Sequence, residues 1–164
     1  MMDLAKKDSS VDIMQAAIKK AKETMNQDIG GPFGAAIIDQ DGSILAIASN
    51  SVLGDHDPTA HAEINAIRIA GEKKHTHDLS GCVLYTTSYP CPMCLGAIIW
   101  ANIKEVYYGC KKEDAAKIGF RDDFIYTYLK GDMKDETIIH MKEKQRDACL
   151  ELFEEYQAKD KTIY

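Results

Sequence analysis

The chain has 164 residues, 45% hydrophobic and 28% charged, the size and balance of one globular domain. That composition excludes intrinsic disorder, collagen-like repeats and a small disulfide framework. Lys plus Arg number 20 against 26 Asp plus Glu, and the net charge of −6 disfavours phosphate backbones as general partners.

In chain order, residues 1–8 lack an apolar signal segment, and the longest apolar run, 95–101, is far short of the ~20 residues that span a bilayer. The expectation is a cytoplasmic protein with no membrane partner, its five cysteines kept reduced as ligands, catalysts or core residues. Ser9 or Ser10 reads as an N-cap, with Met14, Ala17, Ile18, Ala21 and Met25 following at helical spacing. Segments 33–38 and 43–49 read as strands joined at Asp41-Gly42. Asp57-Pro58 reads as an N-cap and first helical residue, opening a helix that carries Ala60, Ile64 and Ile67 and ends near Gly71. A strand at 82–87, a helix at 91–101 and a strand at 105–109 form a unit whose short connections imply parallel pairing. Both strands and the helix are apolar on all sides and are expected to be buried. Segment 137–141 is a possible strand, and 146–157 is a helix with Cys149, Leu152, Phe153 and Tyr156 on one stripe. The fold class is α/β, a mixed sheet within a single domain over 1–164.

Two fragments carry chemistry, His61-Ala62-Glu63 and Pro90-Cys91-Pro92-Met93-Cys94. Cys91 and Cys94 stand one helical turn apart at a strand-to-helix junction, where free amides and the helix dipole favour thiolates. With His61 they make three soft or borderline ligands suited to tetrahedral Zn2+, one per subunit, with water or hydroxide as the fourth ligand. Two thiolates cancel the charge of the ion, so its water is acidified weakly and a carboxylate is needed to move protons; Glu63 stands where it can do so. Ala62 is small enough to let a substrate approach its backbone N–H. Phe33 and Trp100 are candidate apolar walls for a flat ring. Cys82, Cys110 and Cys149 read as core residues.

The H-x-E and P-C-x-x-C pattern is the signature of zinc deaminases acting on nucleobases. With Gly31-Pro32-Phe33-Gly34-Ala35 and Tyr85-Thr86-Thr87 added, residues 32–109 resemble the cytidine deaminase superfamily. The resemblance implies a three-layer α/β/α fold with a five-stranded mixed sheet and helices on both faces. It implies His61, Cys91 and Cys94 as zinc ligands and Glu63 as proton shuttle. The stretch 115–126 and the Lys161-Thr162-Ile163-Tyr164 end look like bacterial-type guanine deaminases within that superfamily. By that resemblance Asn50 reads the O6/N7 edge of a purine base, Asp122 or its neighbour Asp123 is the pocket acid, and Tyr164 completes the pocket. The resemblance also implies a homodimer in which the C-terminal segment, about 137–164, is exchanged between subunits. The expected reaction is hydrolysis of guanine to xanthine and ammonia. The alternatives are tRNA adenosine deamination, cytosine or cytidine deamination, and a non-catalytic module stapled by zinc. Lys111, Lys112 and Lys117 are interspersed with Glu113 and Asp114, so no basic stripe for RNA stands out.

Overall fold

The hairpin expected at Asp41-Gly42 pairs β1 (Gly34–Ile38) antiparallel with β2 (Ile44–Ser49). Gly42 sits in the turn at φ 85°, a conformation open to glycine at no steric cost. β1 pairs antiparallel on its other side with β3 (Val83–Ser88), which pairs parallel with β4 (Glu105–Cys110), giving the order β2-β1-β3-β4. The computed structural model describes the backbone of residues 4–164 and the side chains from residue 12 onward. It divides into two compact units, Met1–Ile125 and Tyr126–Tyr164.

Strand alternation sends β1 to both faces of the sheet. Ala35 and Ile37 join Leu84 and the small residues Ala62, Ala66 and Ala70 of a helix at Ala62–Lys74. Ala36 and Tyr85 join Ile13 and Ala17 of α1 (Leu4–Met25) on the opposite face. Helices on both faces of a mixed sheet are therefore present, as expected. α1 lies close to β1: a Cβ on Gly34 would stand 2.0 Å from the Ala17 carbonyl oxygen. Ser9 and Ser10 fall inside α1, whose described backbone begins at Leu4, and so do not stand at its N-terminus.

Four further expectations are corrected. Among the described residues the sheet has four strands, not five. Segment 137–141 forms no strand because its chain turns back on itself: Thr137 donates through both N and Oγ1 to Asp135 Oδ1, and Ile138 N donates to the Asp135 carbonyl. The Asp57-Pro58 signal opens a turn and not a helix, since Asp57 Oδ1 accepts from both Thr59 N and Thr59 Oγ1. After the short α2 (Val52–Asp55), the next helix, α3 (Ala62–Lys74), starts at Ala62 and runs past Gly71 to His75, whose left-handed backbone ends it. Finally, α4 (Pro92–Trp100) and β4 are not buried all round. Ile99 and Trp100 are 69% and 75% exposed, and Tyr107 and Tyr108 of the edge strand β4 are half-exposed. α5 (Lys112–Lys117) and the start of α6 (Asp123–Lys130) close the first unit, while α7 (Arg146–Ala158) lies in the second with Leu152 and Phe153 exposed. No helix among the described residues is long and apolar enough to cross a membrane.

The strand directions place the functional loops. The start of β1, the end of β2 and the ends of β3 and β4 all fall at one edge of the sheet. Segments 30–33, 50–61, 88–91 and 111–122 therefore converge there, at the carboxyl ends of the parallel strands where open α/β sheets bind ligands.

Candidate active site

His61 and Cys91 are both N-cap residues, with extended backbones at φ −72° and −67° and side chains that do not cap their own helices. Each carbonyl already takes the first helical bond, from Asn65 N and Leu95 N. Both side chains are thus free to face one point between two helix N-termini. Pro92 fits as the first residue of α4, where its missing N–H has no helical partner to lose. Cys94 projects from the first turn of the same helix. His61 Nδ1 lies 3.6 Å from Cys91 Sγ and 3.5 Å from Cys94 Sγ. A tetrahedral zinc with ordinary Zn–N and Zn–S bonds sets such N···S pairs ~3.6 Å apart, so the donor set fits the ion in type and in spacing. The three ligand atoms form the one metal-competent group among the described residues, and they suit one zinc per chain.

The electrostatics of the trio favour a cation. The Cys91 thiol is lowered to about 4 by hydrogen bonding from Cys94, helped by His61. The Cys94 thiol is pushed up, because its proton is held against Cys91 and because burial and the Glu63 charge oppose a second thiolate. His61 is raised by its hydrogen bond to Cys91.

Glu63, second residue of α3, is buried beside the trio, and burial pushes its carboxyl above the usual carboxylate range. Its Oε1 accepts from Thr86 Oγ1 at 2.9 Å, and its Oε2 lies 3.5 Å from Cys94 Sγ. Ala62, fully buried as the first residue of α3, lies between the ligand and the carboxylate. Its backbone N–H belongs to the first helical turn, whose amides lack helical acceptors.

A cavity of about 630 Å³ opens over this floor, lined among others by Phe33, Asn50, His61, Glu63, Cys91 and Asp122. Asn50 is buried, and its Oδ1 accepts from Gly31 N at 3.2 Å and Val52 N at 3.1 Å. Two backbone donors on one oxygen set the amide orientation and leave Nδ2 as the donor end. Gly30 makes this possible, because a Cβ there would stand 2.1 Å from the Asn50 carbonyl oxygen and 2.5 Å from its Oδ1. Gly30→Ala is expected to displace Asn50 and lower turnover efficiency on the order of 100-fold while leaving metal content unchanged. Steady-state kinetics beside metal analysis checks this.

Phe33 stacks edge-on against Phe120, with ring centres 5.0 Å apart. That contact, following the left-handed turn at Gly119 (φ 101°), brings Arg121 and Asp122 to the cavity. Asp122 is raised by burial and by the Cys91 charge, whereas Asp123 points to Arg121, which donates to it through Nε at 3.1 Å and through a terminal nitrogen at 2.8 Å. Of the two acids, Asp122 lines the cavity. Trp100 does not: it ends α4 in an exposed position away from the lining, because the turn of the helix that carries Cys94 inward carries Trp100 outward. Tyr164 is exposed in the second unit.

Three residues of the site have roles that the motif reading does not give, although Thr86 lies within the Tyr85-Thr86-Thr87 piece of the resemblance. Thr86 and Ser88 share with Leu84 the strand face that looks toward α3, and two polar residues on that period were the available signal. Asn65, one turn after His61, donates through Nδ2 to the Ser49 carbonyl and Ser51 Oγ, both at 2.9 Å, and so ties the loop that presents Asn50 to α3.

The profile of the cytidine and deoxycytidylate deaminase zinc-binding region matches residues 7–110. The guanine deaminase of Bacillus subtilis is 47% identical over 125 residues, covering 76% of this chain and 80% of that protein. The X-ray structure of the Bacillus subtilis guanine deaminase superposes with a TM-score of 0.86 at 41% identity, covering 93% of this chain and 97% of that one. The tRNA-specific adenosine deaminase of Haemophilus influenzae is 35% identical over 130 residues, covering 77% of this chain and 74% of that protein.

Proposed function

The chain belongs to the cytidine and deoxycytidylate deaminase zinc-binding family, and on that premise we propose that it hydrolyses guanine to xanthine and ammonia. The observation that carries the choice of base is the pairing of a fixed donor, Asn50 Nδ2, with a carboxylate, Asp122, over the Glu63 floor of one cavity. Guanine offers an acceptor at O6 and donors at N1 and the 2-amino group, the complement of those two side chains. Phe33 supplies an apolar wall.

His61, Cys91 and Cys94 would hold a zinc ion, which would supply a Lewis acid that lowers the pKa of the attacking water. Glu63 accepts the proton that this water loses as its oxygen bonds to C2, and delivers it to ring N3. Glu63 then carries the second water-derived proton to the amine, which leaves as ammonia when the C2–N bond breaks. One water is consumed, with xanthine and ammonia formed in equal amounts. Asn50 and Asp122 hold the ring so that C2, and not C6, faces Glu63.

The partner this reading implies is a second copy of the chain. The exposed Ile99 and Trp100 of α4 offer an apolar face for such a homodimer, and by the family resemblance we propose that segment 137–164 is exchanged in it and that Tyr164 completes the partner's cavity.

The test is a turnover panel for the zinc-loaded protein: guanine, guanosine, cytosine, cytidine and an adenosine-bearing anticodon-stem RNA. Guanine as the preferred substrate is expected. Turnover of the RNA without guanine would replace this reading with tRNA deamination, and silence on all five would leave a zinc-stapled module.

A further inference from the structure

We infer that Thr86 is the positioning residue that holds the Glu63 carboxylate in its working orientation, an inference that rests on the proton-carrying role of Glu63 proposed above. Thr86 sits near the end of β3, 1% exposed, on a central strand bonded on both sides to β1 and β4. Its Oγ1 donates to Glu63 Oε1 at 2.9 Å, and the Ser88 carbonyl oxygen stands 3.1 Å away on the other side. A hydroxyl has one hydrogen for these two acceptors, so it keeps a partner whichever way it turns. The β-branched side chain restricts χ1, so the oxygen is anchored to the sheet backbone.

Glu63 needs such an anchor. Its backbone is set by the first turn of α3, but the torsions beyond Cβ remain free unless the carboxylate is held. A second side chain within reach is Cys94, 3.5 Å from Oε2, and that sulfur belongs to the metal-competent trio. Thr86 holds Oε1 from the side of the sheet, which leaves Oε2 toward the metal ligands and the cavity. Thr86 is thus a fully buried hydroxyl on the strand face it shares with Leu84 and Ser88, turned toward the small apolar residues of α3 and the Glu63 carboxylate among them.

The test is the pair Thr86→Val and Thr86→Ser, assayed on guanine beside the parent enzyme, with zinc content and thermal unfolding measured on each. Thr86→Val keeps the shape and removes the hydroxyl. It is expected to lower kcat about 10- to 100-fold, the effect of a hydrogen bond to a charged group, with KM and zinc content near those of the parent. Thr86→Ser restores the donor and is expected to recover most of the loss. Should Thr86→Val fold poorly, Thr86→Ala is the second truncation, with the same kcat-selective loss expected. Parental kcat in the truncations, or equal losses in Thr86→Ser and Thr86→Val, overturns the inference. So does a loss accounted for entirely by KM or missing zinc. A parent enzyme inactive on guanine overturns the functional reading first and this inference with it.

Discussion

Glu63→Gln is expected to bind zinc as the parent does and to lose turnover on the order of 10⁴-fold, the upper range for a group that moves protons in the transition state. The substitution is isosteric. An amide oxygen still accepts from Thr86, and the volume beside Ala62 and Cys94 is unchanged. What goes is the capacity to take a proton from water and hand it to N3 and then to the amine. Burial raises the Glu63 carboxyl and so brings its proton affinity closer to that of the groups it must exchange with. Turnover and zinc stoichiometry on the same sample check the result. Near-parental kcat would remove Glu63 from the mechanism.

Cys91→Ser acts on the other half of the site. A neutral hydroxyl replaces the thiolate that His61 and Cys94 hold at a pKa of about 4, and zinc retention is expected to fall more than ~100-fold. Zinc saturated at 1,000 times its Kd contributes about 4 kcal/mol to folding, so its loss lowers Tm by about 10 °C in a chain of this length. Full zinc occupancy in the variant, read by metal analysis after chelation, would contradict this. The two thiols also dictate the proton balance of loading. The Cys94 thiol keeps its proton beside an ionised Cys91, so zinc must displace it, and affinity falls as pH falls. Titration calorimetry in two buffers of different ionisation enthalpy is expected to show net proton release; zero release would count against a dithiolate site.

The metal trio was legible because its chemistry is local. Cys91, Cys94 and the prolines around them state both a strand-to-helix junction and a ligand spacing, and the structure adds only that His61 meets them. The β1–β2 hairpin was legible for a similar reason, since Asp41-Gly42 permits few other conformations. The failures share a cause as well. Asp57, which reads as an N-cap, and Asp135, just before the segment that reads as a strand, each turn the chain by accepting from a residue two positions on. Segment 137–141 has strand-forming residues, but propensity does not form a ladder without a partner strand. Trp100 lies on a helix apolar on every side, so periodicity could not say which face is covered. Asn50 was legible as a polar residue at a strand end, but not that two backbone amides would take its oxygen and leave it a donor. Thr86 was legible as part of Tyr85-Thr86-Thr87, but not its contact with Glu63, which only the packing of α3 on the sheet brings to it.

The most direct test of the account is the stoichiometry of guanine breakdown with and without metal. Zinc-loaded protein should release one ammonia and one xanthine per guanine consumed, stop when the metal is stripped, and resume when zinc is restored. Guanine turnover that persists in the stripped protein, or a zinc-loaded protein that leaves guanine untouched, would contradict it.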